Sequence, residues 1–149
     1  IQRLIGRRGC VSRSLVRVIF DTNVLISAFT TRGLCAEIVE DVIARHHLLV
    51  GELVLHEFEY VLTDKFAFDQ ELLQVTIEYL RTFTIVPVPK DYSAIDELDE
   101  NDTLILQSAI SASADLFVTG DSDFLRLQKE THGIKILSPR DHWKILQVI

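Results

Sequence analysis

The chain has 149 residues, of which 48% are hydrophobic and 25% charged, and this composition excludes a disordered or collagen-like protein. The length predicts one domain with a sizeable core. The longest stretch without Asp, Glu, Lys or Arg runs only from Thr103 to Ala114, whereas a membrane-spanning helix needs about twenty predominantly apolar residues. We therefore expect a soluble protein without a membrane partner. No secretory signal is visible, so we expect a cytoplasmic protein in which Cys10 and Cys35 are reduced thiols.

The net charge of −7 is unevenly distributed along the chain. Residues 1–20 contain five arginines and no acid, whereas the remainder is strongly acidic. The chain also contains no Met, and we interpret residues 1–15 as a basic N-terminal extension that need not be native and residues 16–149 as the domain. A body this acidic is not expected to coat a nucleic-acid duplex, but it can act on a phosphodiester if cations occupy an acidic site.

Short apolar runs alternate with longer amphipathic stretches in the first half of the domain. The pattern predicts strands at residues 16–20, 47–50 and 84–88. It predicts helices after Gly33 to about residue 45, at residues 52–63 and from an N-cap at Asp69. Residues 23–29 are predicted to form one or two helical turns. Pro87 indicates that the third strand is ending or lies at an edge of the sheet.

The second half begins with an acidic connection over residues 91–102 and continues with a helix. A strand is predicted at residues 115–119, a turn at 120–123, a helical segment at 124–129, a strand at 134–137 and a last helix with Pro139 at its first position. Strands alternating with helices predict an α/β fold, with a mostly parallel sheet between helices on both faces. Such sheets carry their sites beyond the carboxyl ends of the strands, where the strand order reverses.

Two predicted strands deliver aspartates to this edge of the sheet. Asp21 directly follows the first strand, and Asp121 follows the strand at 115–119 with Asp123 two residues on. Each alone is explained equally well as the cap of the next helix. Two strands that both end in aspartates at the same edge are less easily explained by capping alone.

Two further acids lie on predicted helices. Glu57 falls beside the apolar stripe of its helix, where a carboxylate needs a partner, whereas Glu59 projects away from that stripe and is expected to be solvated. Asp102 lies at the start of the helix after the acidic connection, with Asp99 three residues before it. Taken singly, a rim salt bridge and an ordinary N-terminal acid explain Glu57 and Asp102 better than a site does.

Taken together, these acids come from separate elements that a parallel topology can bring to one edge. Four carboxylates cannot share a small site in the ionised form without a counter-charge, and no Lys or Arg stands in any of these motifs. Hard divalent cations with oxygen ligands are the simplest compensation, and Mg²⁺ or Mn²⁺ suits carboxylates and water. Such ions can activate a water and stabilise the leaving oxygen of a phosphodiester.

From Val16 to Leu146 the chain resembles PIN-domain ribonucleases, specifically the prokaryotic, VapC-like group described as toxins of toxin–antitoxin pairs. The resemblance rests on pieces in the right order and spacing, which are VIFDTNVLIS at residues 18–27, HEFEYVL at 56–62, DEND at 99–102, FVTGDSDF at 117–124 and ILSP at 136–139. One departure from the family pattern is Glu100-Asn101, where a pair containing Pro is more usual.

The resemblance implies a PIN-like sandwich with about five parallel strands and metal-dependent endonucleolytic cleavage of RNA. It implies catalytic and metal-binding roles for Asp21, Glu57, Asp102 and Asp121, around one or two Mg²⁺ or Mn²⁺ ions. Asp123 is expected to assist the metals, and Asn23, Thr119 and Asp99 to support the carboxylates. The expected products carry a 5′-phosphate and a 3′-hydroxyl. An antitoxin protein and a second copy of the chain, in a homodimer, are the expected protein partners.

Two other functions remain open at this point. A phosphatase of the haloacid-dehalogenase type would use Asp21 as its nucleophile, but that chemistry wants a second acid two residues on, where this chain has Asn23. A non-catalytic module could use the acidic rim to bind a basic partner. Divalent-ion binding that depends on Asp21 and Asp121 separates such a module from a nuclease.

Overall fold

A computed structural model describes residues 15–127, 130–131 and 133–146, so the predicted N-terminal extension before Leu15 and Cys10 within it lie outside the described residues. The strands are β1 (Arg17–Phe20), β2 (His47–Gly51), β3 (Thr84–Val86), β4 (Leu116–Val118), β5 (Glu130–Thr131) and β6 (Ile134–Leu137). The helices are α1 (Thr22–Thr30), α2 (Leu34–Arg45), α3 (Glu52–Asp64), α4 (Gln70–Leu80), α5 (Glu100–Ser111), α6 (Ser122–Leu125) and α7 (Pro139–Leu146).

These strands form one sheet in the order β3-β2-β1-β4-β6-β5. Neighbouring strands are parallel except at one edge, where the two-residue β5 runs antiparallel to β6. Helix α1 packs on α2 and α3, α2 on α7, and α3 on α4 and α5. The predicted three-layer α/β/α fold with a mostly parallel sheet of about five strands is therefore confirmed, and β3 lies at an edge as Pro87 indicated.

The centre of the sheet forms the core. Val18, Ile19 and Phe20 of β1 and Phe117 and Val118 of β4 are almost completely buried. Ile19 lies opposite Leu49 of β2 on one side and Phe117 on the other. Continuous apolar runs of this kind are typical of parallel strands that helices cover on both faces. The two central strands are thus a rigid base for the residues that follow them.

The strand order reverses between β1 and β4. The chain passes from β1 to β2 and β3 on one side, then crosses back to place β4 on the other side of β1. A crevice opens at the carboxyl ends of the strands at such a reversal, which is where ligands bind in open α/β sheets. Asp21 follows β1 and Asp121 lies shortly after β4, so both aspartates stand at this crevice.

Three local predictions were wrong. Helix α1 has nine residues instead of one or two turns. Helix α6 begins at Ser122 and ends at Leu125 instead of spanning residues 124–129. Its start is set by the Asp121 side chain, which caps it by accepting a hydrogen bond from the N–H of Asp123. The short strand β5 was not predicted at all.

The predicted N-cap at Asp69 is confirmed, since its carboxylate accepts hydrogen bonds from the N–H groups of Glu71 and Leu72. Helix α7 begins at Pro139 as predicted. Within the described part of the chain, no helix is both long enough and apolar enough to cross a bilayer.

Candidate active site

Asp21 lies at the end of β1 and is almost completely buried, with 6% of its surface exposed. Its N–H donates to the carbonyl of Val118 at 2.9 Å, which extends the pairing of β1 with β4 to the site. One carboxylate oxygen accepts the N–H of Thr22 at 2.8 Å and so caps α1, and the other accepts the hydroxyl of Thr119 at 2.7 Å. Burial raises the pKa of Asp21 in spite of these bonds, and the charges of Glu57 and Asp121 add to that rise.

Thr119 joins the carboxyl ends of the two central strands. Its hydroxyl donates to Asp21 and also accepts the N–H of Asp121 at 3.0 Å. Asp121 in turn accepts the N–H of Asp123 at 2.9 Å through its carboxylate. Asp123 itself is exposed and pairs with Arg126 at 3.1 Å. One buried hydroxyl therefore fixes the relative positions of the aspartates that follow β1 and β4.

Glu57 reaches the same place from α3. The hydroxyl of Thr22 donates to one of its carboxylate oxygens, and the side-chain amide of Asn101 donates to the other at 2.6 Å. The expectation that a carboxylate beside the apolar stripe needs a partner is confirmed, although both partners are neutral groups and not a rim salt bridge. Glu59, two residues on, is exposed as predicted.

Asp102 is the third residue of α5, and Asp99 is the N-cap of that helix. The carboxylate of Asp99 accepts the N–H of Asp102 at 2.8 Å, which holds the first turn of α5 in place. The pKa of Asp102 is raised to about 6, first by its desolvation and then by the neighbouring charges of Asp99, Asp121, Asp21 and Glu57. The acids of this site are thus close enough to disfavour one another's ionisation.

A cleft of about 330 Å³ unites these side chains. Its described lining is Asp21, Thr22, Asn23, Glu57, Tyr60, Val61, Asp102 and Asp121. Oxygen atoms of Asp102, Asp121 and Asp123 lie within 4.8 Å of one another. The structure therefore brings all four predicted acids to one cleft and places Asp123 beside two of them. Asn23 is exposed in the lining, whereas Asp99 is the N-cap of α5 and is not among the described lining residues.

The donor chemistry of the cleft suits a hard divalent cation. Among the residues described as lining it, the charged side chains are carboxylates and none is a lysine or an arginine. Carboxylate oxygens together with water are the ligands that Mg²⁺ and Mn²⁺ prefer. Desolvation, and after it the neighbouring carboxylates, raise the pKa of Asp102, and a cation bound beside that carboxylate would oppose both effects. The residues present thus fit a magnesium or manganese site.

Sequence reasoning missed three contributors to the cleft. Thr22 and Asn101 hold Glu57 between them, and Tyr60 lines the cleft one turn after Glu57 on α3. The spacing of Tyr60 from Glu57 was a usable signal, because residues three apart share a helix face. Asn101 had been read only as a departure from the family pattern. Its hydrogen bond depends on how α3 and α5 pack, which periodicity does not reveal.

Most of the chain, including the acids of the cleft, matches a known protein family. A family model described as PIN domain matches residues 17–123, a span that includes every acid of the cleft. The chain belongs to the PIN-domain family. No curated protein matches this PIN-domain chain. Family membership favours a nuclease over the dehalogenase-type phosphatase.

Solved structures share the PIN-domain fold. One is VapBC2 from Rickettsia felis bound to a DNA fragment from their promoter, with a TM-score of 0.59, 18% identity and coverage of 83% of this chain and 98% of that one. Another is DNA-bound VapBC from Salmonella typhimurium, with a TM-score of 0.58, 17% identity and coverage of 84% and 99%. At these identities the similarity establishes the fold and leaves the activity to be argued from the site.

Proposed function

We propose that this PIN-domain protein is a metal-dependent endoribonuclease that hydrolyses RNA phosphodiester bonds and serves as the toxin of a toxin–antitoxin pair. The proposal is carried by the convergence of carboxylates from separate elements on one cleft, namely Asp21, Glu57, Asp102 and Asp121. Crowding like charges is unfavourable unless cations compensate them, so this arrangement favours a function that uses cations.

Asp102, Asp121 and Asp123 would hold one or two Mg²⁺ or Mn²⁺ ions, with Asp21 and Glu57 completing the acidic wall of the site. When bound, such an ion lowers the pKa of a water and stabilises the leaving oxygen of the phosphodiester. The chain's own contribution is orientation, since hydrogen bonds fix the carboxylates before the substrate arrives. We expect products with a 5′-phosphate and a 3′-hydroxyl.

The supporting residues act through the acids that they touch. Thr119 orients Asp21 and the backbone of Asp121, Asp99 anchors the turn that carries Asp102, and Asn101 orients Glu57. Asn23, exposed in the cleft, is positioned to contact the substrate or water. A side chain held by such bonds loses little freedom on reaching the transition state.

The first experiment measures cleavage of structured and unstructured RNA by the purified chain with Mg²⁺, with Mn²⁺ and with a chelator. Asp21→Asn should lower the cleavage rate about a hundredfold or more, because the substitution replaces a carboxylate of the proposed metal site by a neutral amide. The Asn side chain can still cap α1, so the fold should be retained. Mapping the product ends tests for the 5′-phosphate. Full activity of Asp21→Asn, or activity that a chelator leaves unchanged, would refute the assignment.

A matched pair of variants on α3 controls for general effects of charge removal. Glu57→Gln should inactivate the enzyme, whereas Glu59→Gln removes an exposed acid of the same helix and should leave cleavage unchanged. Turnover of a small phosphate monoester with RNA untouched would instead revive the phosphatase. Divalent-ion binding that is absent in calorimetry would favour the non-catalytic interaction module.

Protein partners belong to the same proposal. VapBC structures share this fold, and we propose that a small antitoxin protein, encoded beside this chain, binds it and suppresses cleavage. Leu72 and Val75 on α4 are each more than half exposed, as is Phe66 ahead of that helix, and apolar exposure of this kind favours a protein partner. Sedimentation of the chain alone tests the homodimer. Co-expression with the neighbouring gene product tests for a complex that no longer cleaves RNA.

A further inference from the structure

One cationic side chain stands beside the acids of the cleft. Arg126 pairs with Asp123, and its guanidinium nitrogen Nη1 lies 3.1 Å from the carboxylate oxygen Oδ1. Asp123 in turn has a carboxylate oxygen within 4.8 Å of oxygens of Asp102 and Asp121. Among the residues that the structure describes, no other lysine or arginine pairs with an acid of this cluster. Arg126 is therefore the chain's own positive charge next to the proposed metal site.

The backbone of Arg126 is fixed, whereas its side chain is exposed. Its N–H donates to the carbonyl of Ser122 at 2.9 Å, which closes α6. Phe124 on the same helix is fully buried and packs edge-on against Phe117 of β4, with ring centres 4.9 Å apart. The Arg126 side chain, by contrast, is 73% exposed. A guanidinium on such a base can exchange one partner for another without a change in the fold.

The ion pair with Asp123 is easily exchanged. Exposed pairs three residues apart contribute little to stability, because water solvates both charges well. A cation bound by Asp123 would also use the carboxylate charge that now attracts the guanidinium. Arg126 and the cation therefore compete for Asp123, and an occupied site leaves the guanidinium in need of another anion.

A phosphodiester is an anion of the right shape. The planar guanidinium presents its donors in a fork that matches two oxygens of a carboxylate or a phosphate, so the exchange keeps the same type of contact. Arg126 is not among the residues described as lining the cleft, so it lies to the side of the acids. The cleaved phosphate would lie against the cations between the acids. A neighbouring phosphate of the same strand is then the one that suits Arg126.

We propose that Arg126 leaves Asp123 when a cation binds there and then holds a phosphate next to the cleaved one. The inference rests on the proposed ribonuclease function. Arg126 is thus a substrate-binding residue whose contact forms only when the metal site is occupied. Cation and substrate would therefore strengthen each other's binding, since each favours the same position of the guanidinium.

Cleavage kinetics at saturating Mg²⁺ test the phosphate contact. Arg126→Gln should raise KM for RNA about fivefold to tenfold with kcat within about twofold of wild type. The slope of log KM against log salt should fall by about 0.7, as expected for one lost phosphate contact. Arg126→Lys keeps the charge but loses the fork, so its KM should be intermediate.

Two controls make the contact specific. Arg81→Gln removes an arginine that also forms an exposed pair at 3.1 Å, with Glu52, and neither residue is described as lining the cleft. It should change neither KM nor the salt slope. A neutral methylphosphonate at one of the two phosphates that flank the cleaved bond should raise the wild-type KM and leave that of Arg126→Gln unchanged.

A further readout needs neither turnover nor RNA. Calorimetric titration with Mn²⁺ should give a Kd about threefold lower for Arg126→Gln than for wild type, because a competing positive charge is removed. Arg126→Lys and Arg81→Gln should bind Mn²⁺ as wild type does.

These measurements separate the role of Arg126 from the proposed activity. A wild type that cleaves RNA, together with an unchanged KM and salt slope or an unchanged Kd for Mn²⁺ in Arg126→Gln, overturns the role and leaves the ribonuclease intact. A wild type that cleaves no RNA with Mg²⁺ or Mn²⁺ overturns the ribonuclease. A lower Kd for Mn²⁺ in Arg126→Gln would then still support the competition for Asp123.

Discussion

Several acids of the cleft have a structural role as well as a proposed functional one. Asp21, Asp99 and Asp121 are the N-caps of α1, α5 and α6. Helices that follow parallel strands begin at the carboxyl edge of the sheet, so capping and ligation draw on the same positions and the same residue type. From the sequence, capping a helix and lining a site are alternative explanations for such an aspartate. In the structure, Asp21 and Asp121 each do both. Asp102 differs from these three aspartates, since its N–H is capped and its carboxylate is left for the cleft.

Replacing Asp102 should stabilise the metal-free protein. Its pKa is raised to about 6, so above pH 6 the folded state holds a carboxylate that the unfolded state tolerates better. Asp102→Asn removes a charge that is disfavoured by desolvation and then by its acidic neighbours, and we expect a gain of about 1 kcal/mol at pH 7.5 after discounting for solvent screening of a partly exposed group. Urea denaturation in the presence of a chelator measures it.

Asp102→Asn should also abolish RNA cleavage. A gain in stability with a loss of activity is the trade-off expected when like charges are crowded in an active site. The gain should shrink as pH falls below 6, because the wild-type carboxylate becomes protonated and the cost of desolvating and crowding its charge disappears. Asp96→Asn, at an exposed acid of the connection before α5, serves as the control and should not alter stability. An unchanged or lower unfolding free energy for Asp102→Asn at pH 7.5 would contradict this account.

Among the elements, α7 contains a buried histidine, His142, whose protonation should destabilise the fold at acid pH. His142 is fully buried, and its helix α7 packs on α2 and β6. The centre of its ring lies 6.0 Å from that of Phe20. Neither ring nitrogen has a hydrogen-bond partner among the described residues. Its pKa is lowered to about 4, first by burial and then by the nearby charge of His46, while Asp41 acts weakly in the other direction. Folding therefore requires the neutral imidazole.

Acidification should lower the free energy of unfolding through His142. Above pH 6.5 the imidazole is neutral in both states, and between pH 6.5 and about 4 the unfolded state takes up a proton that the folded state refuses. The unfolding free energy should fall over this window by about 3 kcal/mol at full effect. Denaturant titrations of wild type and His142→Phe across pH 4–7.5 measure this, and the unfolding free energy of the wild type should fall relative to that of the variant as the pH is lowered.

His56→Gln is the control for this titration, since His56 is exposed and pairs with Glu52 on the surface of α3. It should show the wild-type dependence on pH. A His142→Phe variant that follows the wild-type curve in parallel would show that the buried imidazole does not govern acid stability.

Helix α1 shows why its length was missed while most of the other elements were found. Four of its nine residues are β-branched, and such residues favour helix only weakly, so local preference predicted no more than one or two turns. Val24, Leu25 and Ile26 are buried, and α1 packs on α2 and α3, so tertiary packing stabilises the nine-residue helix. Elements with clear periodicity, such as α2 and α4, were predicted closely because their pattern and their packing agree.

At the scale of the whole molecule, the strand–helix alternation was enough to predict the sheet and the edge at which the acids meet. It could not give the contacts that Glu57 makes with Thr22 and Asn101, because these depend on the relative placement of α1, α3 and α5. Nor could it show that Tyr60 faces the acids. Topology follows from the order of elements, whereas orientation within a site follows from packing across them.

Divalent ions should stabilise the folded chain as a whole. Because the site exists only when β1, β4, α3 and α5 are assembled, ions bind the folded state alone and add about 2.7 kcal/mol at a hundred times their Kd. Thermal unfolding with Mg²⁺, Mn²⁺ or a chelator measures the shift, which Glu59→Gln should retain and Asp121→Asn should lose. Equal midpoints with and without ions would argue against a metal site.

The lack of lysine and arginine in the described cleft lining has a kinetic consequence. Arg126 reaches the exposed Asp123, but the positive charge within the cleft itself would come from bound ions. The concentration of free ions would then set both the affinity for the phosphate and the rate of its hydrolysis. Depleting free magnesium would then weaken substrate binding and slow hydrolysis at the same time. The cleavage rate would therefore depend on the magnesium concentration more steeply than a single binding curve does.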